Sequence, residues 1–239
     1  DAEPDTLVVA RHGAPLILGL GDSENFAASD ASALVQVTRR IIYLEDGDCA
    51  QVSKGSVFIS EASGDRVERA VTMSQISPAA VELGTFDHFM QKEIFEQPMA
   101  VANTLELVTS ARTVVPELFG AEAGQMLPNV DAVLILACGT SYHAGMVARY
   151  WLESVAKIPC TVEIASEYRY RDSVADPKTL VVAISQSGET ADTLAALRHA
   201  KSEGQTIAAV VNVPTSSMAR EADLLLPTHA GPEIGVAST

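Results

Sequence analysis

The chain has 239 residues, of which 47% are apolar and 20% charged, a balance that excludes an intrinsically disordered protein and suffices for a buried core. Lys and Arg total 16 against 31 Asp and Glu, a formal charge of −15. Such a surface repels phosphate backbones and anionic lipid, so nucleic acid and membranes are disfavoured as partners.

The N-terminus, Asp1-Ala2-Glu3-Pro4-Asp5, lacks the basic region and apolar core of a secretory signal. No apolar run approaches the roughly 20 residues of a membrane helix. The chain opens without Met and nothing at Thr239 reads as a natural stop, so either end can be a cut. Cys49, Cys138 and Cys160 are odd in number, far apart and form no C-x-x-C pair, which favours free thiols in a reducing compartment.

Residues 1–74 read as antiparallel β-structure with one small helix. Strand-like runs cover 6–10, 15–20 and 25–29. Asp30 or Ser29 is placed to cap a short helix through Val35. Runs 40–45 and 49–53 flank Asp46-Gly47, a hairpin signal, and runs 56–60 and 66–71 flank Ser63-Gly64-Asp65, a second one. From Phe86 to about Thr113 the period turns helical, with Phe89, Ile94 and Phe95 on one apolar face and Val101, Leu105 and Val108 on another. Pro98 is expected to divide this stretch into two helices. Residues 120–128 read as a loop.

From Val130 onward strands and helices alternate. Apolar strands are predicted over 131–137, 161–165, 180–184 and 206–211, with a fifth over 223–226. Helices are predicted over 142–157, carrying Met146, Val147, Tyr150, Trp151 and Val155 on an apolar stripe that puts Trp151 in the core, and over 190–203, ended by Gly204. Uniformly apolar strands are buried on both faces, which predicts a parallel sheet in an α/β sandwich.

Two strand-to-helix turns share one design. The first is Cys138-Gly139-Thr140-Ser141 and the second Ser185-Gln186-Ser187-Gly188-Glu189-Thr190. In a parallel sheet both fall at carboxyl ends of strands, where ligands bind in open α/β folds. Each leads into a helix start with free N–H groups and a partial positive charge, and the hydroxyls of Thr140, Ser141, Ser185, Ser187 and Thr190 add donors suited to a phosphate. The G-x-x-x-x-G-K-[ST] pattern is absent, as is any Lys or Arg in either turn. A small phosphate monoester fits better than a hydrolysed nucleotide. The plainer alternative is that these Ser and Thr only cap their helices.

Other residues point less far. Cys138 beside a helix start, with His143 nearby, is a weak nucleophile candidate. His12, His88, His199 and His229 show no metal-ligand spacing, and Arg39-Arg40 reads as a solvated face. Tyr168-Arg169-Tyr170-Arg171 is a basic-aromatic cluster better suited to a subunit contact or to covering the sheet than to nucleic acid.

The segments Ile135–Tyr142 and Ser185–Thr193 resemble sugar isomerase (SIS) domains, and specifically the first SIS domain of the glutamine–fructose-6-phosphate aminotransferase (glucosamine-6-phosphate synthase) family. Met90-Gln91-Lys92-Glu93-Ile94 with Glu96-Gln97-Pro98, Val162–Glu167, Glu233–Thr239 and the stretch Gly21 to Asp30 resemble further parts of that family, in its order. The resemblance implies an α/β fold with a five-stranded parallel, flavodoxin-like SIS sandwich, preceded by an incomplete antiparallel piece of an N-terminal-nucleophile-hydrolase domain. It divides the chain into the later part of a type 2 glutamine amidotransferase domain (1–80), a linker with helices (81–129) and a first SIS domain (130–239).

By the same resemblance the parent enzyme moves ammonia from glutamine to fructose 6-phosphate and isomerises the product to glucosamine 6-phosphate, with no metal or organic cofactor, in the cytoplasm, as a homodimer through SIS domains. Cys138, Gly139, Thr140, Ser141, Ser185, Gln186, Ser187 and Thr190 would contact fructose 6-phosphate, with Val236 and Ala237 touching the sugar by backbone. Asp30 would be a remnant of the glutamine site, glutamine being a partner only of the complete enzyme. Residue 1 is Asp where that family has its nucleophilic Cys, so an internal fragment without catalytic residues, inactive alone, is expected. Two rival readings are a SIS-domain sensor that regulates a partner, and a stand-alone sugar-phosphate isomerase with Glu189 or His143 as its acid–base group.

Overall fold

The computed structural model describes residues 5–74, 76, 81–109 and 114–235, apart from the side chains of Leu107 and Thr109. Contacts divide the chain into two compact units, Asp1–Asp87 and His88–Thr239.

The first unit is a pair of antiparallel sheets. One contains β1 (Thr6–Ala10), β5 (Cys49–Ser53), β6 (Val57–Ser60) and β7 (Arg66–Val67) in that order. The other has β3 (Asn25–Ala28), β2 (Ile17–Leu20), β4 (Arg40–Tyr43) and β8 (Val71–Met73). Alternation is clearest in β5, where Ala50 and Val52 are buried and Gln51 is exposed. Leu18 and Ile42 from one sheet meet Ala50, Val52 and Ile59 from the other. The Ser63-Gly64-Asp65 hairpin forms, pairing Ser60 with Arg66.

The Asp46-Gly47 turn corrects the expected hairpin. β4 pairs with β2 and β8, whereas β5 pairs with β1 and β6, so this turn passes the chain from one sheet to the other. Long-range bonds account for it. Gly47 N donates to Arg11 O at 2.9 Å and Arg11 N to Asp48 O at 2.9 Å, which fastens the corner to β1's end. Asp30 caps a single 3₁₀ turn, Ala31–Ala33, through Ser32 N at 2.7 Å, shorter than the helix expected through Val35.

The corner is held by a buried ion pair. Arg69 donates to both Asp48 oxygens, at 2.9 and 2.8 Å, and Glu45 N adds a bond of 2.7 Å. The Asp48 side chain is 1% exposed. These bonds, the Arg69 one foremost, hold the Asp48 carboxyl below its ordinary value of 3.8.

The second unit opens with α1 (Phe89–Thr109), one helix that contains Pro98. The expected break is absent. Proline removes a single hydrogen bond, at about 3 kcal/mol, while good helix formers on either side supply a turn-by-turn ladder over 21 residues. Residues 120–128 are not a plain loop: α2 (Ala123–Met126) packs Ala123 and Met126 over Leu180, Ala208 and Leu224.

The rest is a five-stranded parallel sheet. In chain order come β9 (Ala132–Ala137), α3 (Gly139–Trp151), β10 (Cys160–Ile164), α4 (Ala165–Tyr168), β11 (Thr179–Ser185), α5 (Ala191–Ser202), β12 (Thr206–Val211), α6 (Ser217–Glu221) and β13 (Leu224–Pro227). Spatial order is β10-β9-β11-β12-β13, the 2-1-3-4-5 order of flavodoxin-like folds. Side-chain parity separates the faces. Val133, Ile135, Val182 and Ile184 meet Ala148 of α3 and Leu152 just after it, whereas Leu136, Val181 and Ala183 meet Leu194 and Leu197 of α5.

Trp151 is not core: it is 66% exposed, beside exposed Met146, Val147, Tyr150 and Val155. α3 faces the sheet with Gly145 and Ala148 instead. A Cβ on Gly145 would stand 2.8 Å from Ile135 Cγ2, so the helix approaches through its small residues and turns its large ones outward.

Asp48 gives a pH prediction. Its folded pKa lies below the unfolded one, so its contribution is present above about pH 4 and is lost as pH falls through the lowered folded value. Asp48→Asn should cost about 1–3 kcal/mol at neutral pH by removing a charge-assisted pair, with Glu45 and Glu61 still 3.4 and 3.5 Å from Arg69. Urea unfolding across pH should show the gap between parent and variant closing below about pH 4.

Candidate functional site

β9 and β11 are direct neighbours, with Ala132 opposite Thr179 and Leu136 opposite Ala183. Their carboxyl ends therefore deliver the 138–141 and 185–190 turns to one rim, at the point where strand order reverses. α3 and α5 leave this rim toward opposite faces, and a crevice between two such helix starts is where open α/β sheets bind ligands. A side-chain contact ties the two: Thr193 Oγ1, in the first turn of α5, donates to Cys138 Sγ at 3.8 Å.

Neither helix is capped by a side chain. Cys138 and Thr190 are the N-cap residues and make no side-chain cap bond. The plainer reading, in which these Ser and Thr only cap helices, is thus not how the residues are used. The first N–H groups of α3 and α5 keep their positive ends toward the rim. Gly139 has φ of 56°, a left-handed turn that an L-residue adopts at a cost.

The second turn is internally braced. Ser185 is 5% exposed. Its Oγ accepts Gly188 N at 3.1 Å and shares a proton with Thr190 Oγ1 at 3.1 Å. With Ser185 donating, the chain runs from Gly188 N–H through Ser185 to Thr190, whose own hydroxyl hydrogen then points at an outside acceptor. Such chains polarise each bond in turn. Ser185 therefore sits beneath the loop and orients Thr190. Ser187 Oγ accepts Glu189 N at 3.2 Å, which likewise leaves its hydrogen for a ligand. Thr190, Thr140 and Gly139 are exposed, and Ser141, Gln186 and Ser187 are half-buried.

One acid near the rim is neutralised. Asp192, in the first turn of α5, is bonded by Arg169 at 2.6 Å. Arg171 pairs with Glu163, and Tyr168 is buried in the α5-side core. Of the basic-aromatic cluster, Tyr168 belongs to the sheet's cover, while Tyr170 is 77% exposed. His143 is exposed and stacks edge-on with Tyr142 at 5.5 Å, while Cys138 Sγ takes its bond from Thr193. No Cys–His pair is formed by these contacts. No group of three or more metal-ligating side chains occurs among the described residues, and no described helix is long and apolar enough to cross a membrane.

Val236 and Ala237 lie outside the described residues. Asp30 lies in the first unit, exposed, with Oδ1 bonded to Ser32 N. Sequence reading missed the third wall of the turn. Gln186 O accepts Asn212 N at 3.0 Å, Gly188 O accepts Met218 N at 3.1 Å, and Glu189 Oε1 accepts Ser217 N at 2.7 Å. These partners lie more than 20 residues away, and no local pattern announces them.

The rim, its order reversal and its uncharged donors define the class: residues 126–239 match the SIS domain, and the second unit carries that domain. Over 99% of its length the chain is 58% identical to the glutamine–fructose-6-phosphate aminotransferase [isomerizing] of Bordetella parapertussis, of which it covers 38%. It is 53% identical to the corresponding protein of Xanthomonas campestris, covering 39% of it. A solved C-terminal domain of glucosamine-fructose-6-phosphate aminotransferase from Francisella tularensis superposes with a TM-score of 0.63 at 48% identity, over 66% of this chain and 44% of that one. The chain thus spans less than two fifths of the length of these curated relatives, and it is a SIS-domain-bearing homologue of that part of them.

Gly188 is a sharp test of the loop. It has φ of 64°, and a Cβ there would lie 2.1 Å from Ser216 Oγ. Gly188→Ala should destabilise the second unit by about 2–4 kcal/mol, combining backbone strain and overpacking, as read by chemical denaturation.

Proposed function

We propose that this chain binds fructose 6-phosphate at the β9–β11 rim, as the sugar-phosphate-holding part of an enzyme that transfers ammonia from glutamine to fructose 6-phosphate and isomerises it to glucosamine 6-phosphate. The observation that carries the reading is the pairing of β9 with β11, which puts two uncapped helix starts and two hydroxyl-rich turns on one rim. Ser187 and Thr190 direct their hydroxyl hydrogens at the phosphoryl oxygens and Ser185 orients Thr190. Gln186 and the 139–141 backbone and hydroxyls complete the cage. Hydrogen bonds to a charged group contribute about 1.5–3 kcal/mol each, so several neutral donors hold a dianion without a cation. Val236 and Ala237 are assigned to the sugar, and Asp30 to the glutamine site of the complete enzyme.

The domain assignment follows the same reading: 1–80 from a glutamine amidotransferase domain, 81–129 leading into the synthase half, 130–239 the first SIS domain. Pairing of two copies through SIS domains and a cytoplasmic location go with it. The exposed face of Met146, Val147, Tyr150, Trp151 and Val155 supports such a pairing. The stand-alone isomerase alternative is disfavoured, because Glu189 Oε1 is engaged by Ser217 N and His143 faces Tyr142.

Titration calorimetry with fructose 6-phosphate tests the reading. Ser187→Ala combined with Thr190→Ala should weaken binding by about 2–4 kcal/mol, since two charge-assisted bonds are lost. Equal affinities for the parent and the double variant would rule out this phosphate cage.

A further inference from the structure

Glu189 is an anomaly in a turn built for an anion. A carboxylate beside a phosphoryl group repels it, yet this one sits between Gly188 and Thr190 within the binding turn. Its Oε1 accepts Ser217 N at 2.7 Å, and its Oε2 is buried with no partner among the described residues. Ser217 is the first residue of α6, whose N-cap is Ser216. The carboxylate therefore takes the Ser217 N–H at the start of α6, where negative charge is favoured. One oxygen engaged and the other buried is a poor arrangement for exchanging protons with a substrate and a good one for a fixed tie.

The tie has two ends. Through its backbone N–H, Glu189 holds Ser187 Oγ at 3.2 Å. Through its side chain it holds α6. The neighbouring bonds, Met218 N to Gly188 O at 3.1 Å and Asn212 N to Gln186 O at 3.0 Å, run in parallel with it. Ser216 fills the space against Gly188 where a Cβ would stand.

Resting on the sugar-phosphate reading of the turn, we propose that Glu189 is a positioning residue for phosphoryl binding: its carboxylate pins the Ser187–Thr190 turn to the start of α6 and so sets the direction of the two hydroxyls. It touches no substrate. Removing the carboxylate leaves the hydroxyls in place chemically but frees the turn that aligns them. Its charge is incidental to the tie, because an amide oxygen accepts the same Ser217 N–H.

The experiment compares three forms of this chain: unaltered, Glu189→Gln and Glu189→Ala. Affinity for fructose 6-phosphate is read by calorimetry and protection of the Ser217 amide by hydrogen exchange. Glu189→Ala should bind at least about tenfold more weakly, because the two hydroxyl bonds to the phosphoryl group lose their alignment, with the Ser217 amide exchanging faster. Glu189→Gln should stay within about threefold of the unaltered chain and keep Ser217 protected. If the unaltered chain binds and Glu189→Ala binds equally well, or if Glu189→Gln is as weak as Glu189→Ala with Ser217 still protected, this role is overturned and the sugar-phosphate reading stands. If the unaltered chain fails to bind, the sugar-phosphate reading itself is overturned, and this role with it. Should Glu189→Ala fail to fold, the Gln form alone decides: weak binding with a protected Ser217 amide overturns the role, and near-parent binding supports it.

Discussion

The pairing of β9 with β11 is the constraint on which the site depends. Parallel neighbours end on the same rim, so whatever follows each strand is delivered to one place. Here each is followed by a glycine-containing turn and an uncapped helix. The order reversal sends those helices to opposite faces of the sheet and opens the space between their starts. A different register or an intervening strand would leave two unrelated helix caps.

The chemistry of that rim follows from what the chain leaves out. With a formal charge of −15, the protein's overall field opposes an anionic ligand, and the turns carry no Lys or Arg to offset it. On the proposed reading, binding comes from short-range donors. In the structure Ser185 bonds Thr190 at 3.1 Å beneath the loop, the Glu189 N–H bonds Ser187, and Asp192 is paired with Arg169. Each arrangement exchanges an exposed side chain's freedom for direction, which is what a cage of neutral groups requires. The α6 contacts extend the same logic one layer outward, so the loop's shape is set by packing rather than by the ligand.

Much of this was legible in the sequence. The central strands β9, β11 and β12 are largely buried and therefore mostly apolar, and the two turns stand out because glycine and hydroxyl residues interrupt apolar runs. What misled was mostly non-local. The Asp46-Gly47 turn carries hairpin chemistry, but its flanking strands pair elsewhere and Arg11 and Asp48 fasten the corner. Trp151 sits on a regular apolar stripe, yet α3 approaches the sheet through Gly145 and Ala148, whose small volumes give a weak hydrophobic signal. Pro98 is a strong local breaker within a 21-residue ladder that outweighs it. The Glu189–Ser217 bond joins residues 28 apart, and no spacing rule finds it.

Joint gripping of one phosphoryl group by both turns is best tested by amide chemical-shift mapping of the labelled chain titrated with fructose 6-phosphate. The amides of 139–141 and of 186–191 should shift together, with a single binding curve. Shifts confined to one turn, or centred on the cavity of about 240 Å³ at the opposite strand ends near Lys178 and Thr206, would contradict the shared site.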